Sequence, residues 1–464
     1  MFRRLPNTNL SAFLWRLWGE SYIAQSIIKL GIPIIIGQLG SIAQQFADTI
    51  MVGQYGTTEL AAAGFVNNVF NLVIYFILGI SYASTPIIGS AFGKKDYKGV
   101  AQSLADSVVV NFLFSLVVVV LLLLLYHNID ILHQPEEIMP VALPYFLIIT
   151  ASMPFLAVFN ALKQYSDAVG ETKIPMWIML GANALNIILN WPLIFGLNLS
   201  FISIVPMGLL GAGIATLISR ILSVVALLIA IAKIRKYKEL KPSLTTRPNL
   251  LGMKRMLFIG FHISVQLGLE ACSFNICAIF MGWLGAIPLA AHQVMCTIST
   301  LCFQVVYGMG AAASVLVSQF RGVGDWFNVR RTAKTAFRIS FTLILMMIGL
   351  IYAFRYPLVY CFTTSEDVVA VVMSLIPCFF IYQFGDCMQI TFANALRGIE
   401  EVSRLMLYAF ISYVLVSIPF SYIFAFVLHW NAVGVWMGMP FGLTTAGFLF
   451  YYEFNKNYKM KSEK

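Results

Sequence analysis

The sequence has 464 residues, of which 59% are hydrophobic and only 11% are charged. A soluble domain carries about 25% charged residues, so this much apolar surface cannot be buried in one water-soluble core. The composition therefore excludes a soluble globular protein and indicates a chain that lies in a lipid bilayer. Basic residues exceed acidic residues by ten, but their placement along the chain argues against nucleic-acid binding.

Apolar stretches long enough to cross a bilayer, which takes about 20 residues, recur along the whole chain. The first six are predicted at 27–52, 60–84, 102–126, 139–163, 174–196 and 207–231. The second six are predicted at 256–281, 288–318, 335–354, 368–395, 405–427 and 433–452. Pro33 falls in the first span and is predicted to bend it, because proline cannot complete the helical hydrogen bonds.

Lys and Arg are distributed unequally between the two sets of loops. With twelve spans, 27 of the 30 basic residues lie on the side that holds both termini, and Lys163 and Arg397 are counted in loops on that side. Arg355 lies on the opposite side, and Lys29 and Arg220 fall within spans. Basic loops favour the cytoplasm. The pattern predicts a multi-pass protein of the inner or plasma membrane with both termini in the cytoplasm.

The two halves of the chain resemble each other. The segment MVGQYGTTELAAAG from Met51 aligns without gaps with FMGWLGAIPLAAHQ from Phe280, at a shift of 229 residues. Six spans per half give both halves the same orientation, which predicts a parallel repeat whose two lobes alternate access by rocking. The predicted organisation is a cytoplasmic segment (1–26), an N-terminal lobe (27–232), a basic linker (233–255), a C-terminal lobe (256–452) and a cytoplasmic tail (453–464).

Motifs for enzymatic chemistry are missing from the sequence. It contains neither GxxxxGK[ST] for ATP nor HExxH or a nucleophile elbow, and its seven cysteines show no zinc-ligand spacing. We therefore predict a protein that is not an enzyme and has no cofactor, so that any pumping uses an ion gradient.

Two acidic residues fall deep in spans of the second half, Glu270 in the seventh and Asp386 in the tenth. Acids in the membrane are costly and usually bind something. Helical spacing puts Gln266 on the face of Glu270, and puts Tyr382 and Gln389 on the face of Asp386. These groups would form an oxygen-rich pocket for a proton, for Na⁺ at Glu270 and Asp386, or for an organic cation. The alternative is that these acids only hold helices together or pair with an arginine. We expect no basic residue to face the deep acids, because no Lys or Arg lies deep on an obviously facing position, and this argues against the alternative.

The first half has a third deep acid, Asp48, with Gln44 one helical turn before it. The fifth span carries Asn183, Asn186 and Asn190, of which the last two lie one turn apart and can face the same cavity. We predict a second cation or proton site at Asp48, Asn186 and Asn190, although an asparagine ladder that only packs helices is the alternative. Gln44, Asn183, Gln266, His292 and Gln389 are further candidates for a cavity.

Four segments together resemble the multidrug and toxic compound extrusion (MATE) family: FADTIMVGQYGTTELAAAG, LAAHQVMCTIS, MGAAASVLVSQFRGVGD and YQFGDCMQITFANALRG. The resemblance covers the chain from about Ile28 to Glu453. It implies an all-α, V-shaped membrane protein of twelve helices in two lobes. The chain is more similar to the NorM branch, whose acids in the seventh and tenth helices and whose tyrosine match Glu270, Asp386 and Tyr382. It is less similar to the DinF branch, because Asn183 lies in the region where that branch has an acid.

The resemblance also implies a function. Members exchange Na⁺ or H⁺ for cationic, amphipathic compounds, so we expect a monomeric multidrug efflux antiporter surrounded by lipid, with small drugs or metabolites as substrates and no nucleic acid. The alternative is a lipid-linked oligosaccharide flippase of the same superfamily. That function would favour a basic cavity, and the deep acids argue against it.

Overall fold

The structure is a computed structural model that describes residues 21–199, 202–234, 237 and 246–462. The predicted cytoplasmic segment up to residue 20 and most of the basic linker lie outside the described residues. Twelve helices in the described part are long and apolar enough to cross a membrane. They coincide with the twelve predicted stretches and mostly extend beyond them by several residues, so the predicted all-α membrane fold is confirmed.

The described residues of the first half form seven α-helices, two of which (α2 and α3) make up one span. The elements are α1 (Ser21–Tyr55), α2 (Thr57–Tyr82), α3 (Ser84–Gly93), α4 (Tyr97–His127), a 3₁₀ turn (Ile129–Leu132), α5 (Met139–Ala168), α6 (Lys173–Phe195) and α7 (Leu209–Lys233). An antiparallel hairpin of β1 (Leu197–Leu199) and β2 (Ile202–Ile204) connects α6 to α7.

The second half, in its described part, contains eight further α-helices. They are α8 (Leu250–Trp283), α9 (Ala286–Gly322), α10 (Trp326–Ala353), α11 (Arg355–Tyr360), α12 (Glu366–Gly398), α13 (Ser403–Ala409), α14 (Ile418–Tyr422) and α15 (Asn431–Ser462). Two π-helical stretches, Phe410–Ser417 and Ile423–Val427, join α13 and α14 into the eleventh span. π-Helical turns are rare and often occur at functional sites.

The chain divides into two compact units. One unit contains Ile36–Ser264, and the other contains Val265–Lys464 together with the chain up to Ile35. The boundaries fall inside α1 and α8, so each of these helices contributes to both units. The lobes and linker proposed from the sequence stay a prediction.

The unit of residues 36–264 has an apolar core between α2 and α5. Phe70 and Phe146 pack edge to face with their ring centroids 5.0 Å apart. The same unit includes the beginning of α8, which packs closely on α2. A Cβ atom at Gly79 would lie 2.5 Å from the Cα atom of Ser264, so only glycine permits this approach.

In the other unit, α12 is the central helix. It contacts α9, α10 and α15, and all but one of its residues from Tyr382 to Gly398 are buried. The start of α1 packs on α9, where Ile27, Met309 and Ala312 share an apolar cluster. Polar side chains on the carboxyl-terminal half of α12 are therefore held away from lipid.

Outer faces of the spans are apolar. On α4, Val117, Leu121 and Leu124 follow each other at helical spacing and are each more than half exposed. Such a continuous apolar stripe is stable against acyl chains and would be unfavourable in water.

Candidate functional site

Glu270 lies in the middle of α8 and is partly buried. Two amide groups donate to the same carboxylate oxygen: Gln266 Nε2 lies 3.3 Å from Glu270 Oε2, and Gln389 Nε2 lies 3.1 Å from it. Gln266 precedes Glu270 by one turn of α8, and Gln389 comes from α12. The predicted residues Glu270, Gln266 and Gln389 are thus brought together.

Asp386 lies three residues before Gln389 on α12 and is only 1% exposed. Among the described residues, neither of its carboxylate oxygens has a hydrogen-bond partner. Asp386 interacts electrostatically with Glu270, but no hydrogen bond joins the two in the described part. A buried carboxylate without a partner costs several kcal/mol when ionised, because it has lost its water shell. It therefore favours any cation or proton that reaches it.

Tyr382 is buried one turn before Asp386. Its ring packs edge to face on Phe274, with centroids 6.1 Å apart, and lies 5.9 Å from the ring of Trp436. Tyr382 also interacts electrostatically with Asp386 and Glu270. An aromatic cluster of Phe274, Tyr382 and Trp436 thus adjoins the carboxylates through Tyr382, and aromatic faces attract organic cations.

His292 on α9 is a buried structural residue in this arrangement. The Trp436 Nε1 atom donates to His292 Nδ1 at 3.1 Å, and Cys296 Sγ lies 3.4 Å from His292 Nε2. Because an indole N–H can only donate, Nδ1 must be the acceptor. Both ring nitrogens are therefore engaged by neighbours, and the contribution of His292 to a cavity stays a prediction.

The second acidic cluster lies in the unit of residues 36–264. Asn190 Nδ2 on α6 donates to Asp48 Oδ1 at 2.6 Å, and Gln44 Nε2 donates to Asp48 Oδ2 at 3.3 Å. Asn186 is fully buried beside them, and its amide nitrogen lies 3.0 Å from Asp48 Oδ1 when the amide is turned to donate. Three amides therefore surround one carboxylate in the membrane-spanning part of the chain.

Asn183 does not join this cluster. Its side chain donates to Ser41 Oγ at 3.3 Å, which is one contact between α6 and α1. Pro33 lies inside α1, as predicted, but in the part of the helix that belongs to the other unit.

A family model describes the chain twice. The model named MatE matches residues 33–192 and again residues 263–423, which together exceed half of the sequence. The chain belongs to the MATE family. The double match agrees with the internal repeat seen in the sequence.

Similar proteins support this membership along the whole chain. A Photorhabdus laumondii protein named "Probable multidrug resistance protein NorM" is 26% identical over 428 residues, covering 90% of this chain and 92% of that protein. The Vibrio cholerae "Multidrug resistance protein NorM" is also 26% identical and covers 92% and 94% of the two chains. The predicted similarity to the NorM branch is confirmed.

Solved structures show the same fold. An outward-facing MATE family transporter of the MOP superfamily superimposes with a TM-score of 0.86 at 20% identity, covering 97% of this chain and 98% of that one. The chain is therefore a multi-pass membrane transporter with the MATE fold.

Arg397 is a site residue of this MATE protein that the sequence did not reveal. The loop count placed it between the tenth and eleventh spans, but α12 continues to Gly398 and buries Arg397 to 5% exposure. Its guanidinium donates to Gln266 Oε1 at 2.6 Å. The expectation that no basic residue faces the deep acids was therefore wrong, because the apolar pattern ends before the helix does.

Tyr413 is a second residue that was missed. It lies in the first π-helical stretch of the eleventh span, is 1% exposed, and interacts with both Glu270 and Asp386. The extra residue per turn of a π-helix changes which side chains face the interior. Ideal helical spacing in the sequence therefore gave no signal for it.

Two other charged residues are buried near helix ends. Lys163, counted in a loop, is buried in the last turns of α5 and pairs with Asp167 at 2.7 Å. Asp106 on α4 is buried and accepts from the backbone N–H of Asn249 at 2.7 Å. Asp106 thus caps the beginning of α8, where helix N–H groups otherwise have no partner.

Proposed function

We propose that this protein exports cationic, amphipathic, drug-sized compounds in exchange for Na⁺ or H⁺. The observation that carries the proposal is the pair of deep carboxylate clusters, around Glu270 and Asp386 in one unit and around Asp48 in the other. The names of the NorM relatives, which are multidrug resistance proteins, support the same substrate class.

The cluster in the second half suits a cation because of its negative charge and its aromatic side chains. Glu270 and Asp386 bring two carboxylates into the interior, and carboxylate oxygens are hard ligands for Na⁺ or acceptors for a proton. Phe274, Tyr382 and Trp436 supply the aromatic faces that an organic cation prefers. One set of residues therefore offers binding energy to both the coupling ion and the drug.

Asp48 offers a second place for the coupling ion. In the described hydrogen bonds, its carboxylate is satisfied by amide donors from Gln44 and Asn190. A cation at Asp48 would also be coordinated by the side-chain oxygen atoms of Asn186 and Asn190 if these amides rotated to point their oxygens at it. We propose that this cluster binds Na⁺ or a proton.

The proposed exchange follows from competition for the same carboxylates. An ion entering from outside neutralises the acids and releases the drug, and loss of the ion to the cytoplasm restores the negative charge that binds the next drug. One elementary charge crossing 100 mV supplies about 2.3 kcal/mol. The two homologous halves would alternate access as a rocker switch in a single chain, so the proposed unit is a monomer in the inner or plasma membrane, with both termini cytoplasmic.

Proteoliposomes loaded with ethidium test this function. We expect export when either an inward Na⁺ gradient or an inward H⁺ gradient is imposed, and the gradient that works identifies the coupling ion. Export that requires neither gradient, or none from correctly inserted protein with several cationic substrates, would contradict the proposal. In that case, scrambling of a lipid-linked oligosaccharide would be measured as the alternative.

A further inference from the structure

Arg397 lies inside the protein in the last turn of α12, where a positive charge needs compensation. Its Nη2 atom donates to Gln266 Oε1 at 2.6 Å. Gln266 itself is fully buried. A charge-assisted contact of this length between two buried groups fixes the geometry of both side chains.

The contact also fixes which end of the Gln266 amide points towards Glu270. A guanidinium can only donate, so Gln266 Oε1 must face Arg397 and Gln266 Nε2 must face away from it. That nitrogen donates to Glu270 Oε2 at 3.3 Å. A hydrogen-bonded relay therefore runs from Arg397 through Gln266 to Glu270, and its direction of donation cannot reverse.

The charges around this relay do not cancel. Glu270 interacts electrostatically with Arg397 and with Asp386. Two carboxylates and one permanently charged guanidinium leave one negative charge. One monovalent cation makes this group of three neutral, whereas a second would leave it with a net positive charge in a medium of low dielectric constant, which is unfavourable.

We propose that Arg397 is a positioning residue that acts through Gln266 on Glu270, limits the acidic site to one monovalent cation at a time and speeds its release. This inference rests on the proposed cation exchange at Glu270 and Asp386. Arg397 does not touch the transported cation. It lowers the affinity of the site for any cation and holds the carboxylate in a fixed orientation.

The test compares Arg397→Gln with Arg397→Lys and with a matched control, Arg321→Gln. Arg321 lies in the last turn of α9 in the same unit, but its guanidinium pairs with Glu400 at 2.6 Å. Two quantities are measured for each variant: the half-saturating ethidium concentration and maximal rate of gradient-driven export, and the Na⁺-dependent rise in melting temperature of the purified protein.

Arg397→Gln is expected to lower the half-saturating ethidium concentration roughly tenfold, the effect of removing one nearby charge in a protein interior. The maximal rate falls as well, because a tightly held cation leaves slowly. If Na⁺ is the coupling ion, the melting temperature rises at about tenfold lower Na⁺ than in the wild type. Arg397→Lys keeps the charge, and Arg321→Gln removes a charge that is paired elsewhere. In both variants, the half-saturating ethidium concentration should stay within about twofold of the wild-type value.

An unchanged half-saturating concentration in folded Arg397→Gln would overturn the inference, as would an equal change in Arg321→Gln. If Arg397→Gln does not fold, Gln266→Met interrupts the same relay instead. It is expected to lower the half-saturating ethidium concentration about threefold, and an unchanged concentration would again overturn the inference. If the wild type itself shows no gradient-driven export, the proposed function fails first, and the two failures are therefore distinguished.

Discussion

Replacing Asp386 by Asn should stabilise the protein and abolish its coupled transport. Asp386 is 1% exposed, and in the described part of the chain both of its carboxylate oxygens lack a hydrogen-bond donor. Leaving a buried polar group unsatisfied costs about 1–3 kcal/mol, and more when it is charged. Asparagine keeps the size of the side chain and removes the charge, so the free energy of unfolding should rise by about 1–3 kcal/mol.

The same change removes one of the two negative charges that we propose bind the cation. Export driven by an ion gradient should therefore fall to the level of protein-free vesicles. A second readout follows from linkage, since a ligand that binds only the folded state raises the melting temperature. If Na⁺ is the coupling ion, it should stabilise the wild type and have little effect on Asp386→Asn.

Melting curves in detergent and export from proteoliposomes would be measured on the same preparations. Gln383→Met is the matched control, because Gln383 is equally buried on α12 and both of its amide atoms lack partners among the described residues. It should gain stability while keeping coupled export. Asp386→Asn with a lower melting temperature and normal coupling would refute the reasoning that this carboxylate is an unpaired binding group.

Three further predictions concern other residues. Asp48→Asn should reduce ion-coupled export at least tenfold at an unchanged protein level, and unchanged coupling in vesicles would remove the first-half cluster from the mechanism. Lys163→Met should destabilise the protein by about 3–5 kcal/mol in detergent melts, because Asp167 is left buried and unpaired. The double variant Lys163→Met/Asp167→Leu should recover most of this loss, and no recovery would mean that the broken ion pair is not its cause. Gly438→Ala should cost about 1–3 kcal/mol by overpacking, since its Cβ would lie 2.2 Å from Ser421 N, and an unchanged melting temperature would show that α15 can move away without cost.

The spans could be predicted because bilayer thickness and the distribution of basic residues leave a strong pattern. Each predicted stretch corresponds to one candidate membrane span in the described part of the chain. The association of Gln266 with Glu270 and of Gln44 with Asp48 also followed from the sequence, since residues four apart on a helix are neighbours.

Contacts between helices could not be predicted in the same way. The hydrogen bonds from Gln389 to Glu270 and from Asn190 to Asp48 depend on how helices pack, and one sequence does not specify this packing. Arg397 was assigned to a loop because hydropathy marks only the apolar middle of a span, whereas the helix continues into polar sequence. Its role beside Gln266 became visible only from the structure.

Competition between ion and drug is the most direct test of the account. Ethidium binding to the purified wild-type protein would be titrated at increasing Na⁺ and, separately, at increasing H⁺ concentration. We predict that the apparent dissociation constant of ethidium rises in proportion to the coupling ion once the ion saturates its site, and that Asp386→Asn abolishes this dependence. An ethidium affinity that is unaffected by either ion, in protein that exports ethidium, would contradict exchange at shared carboxylates.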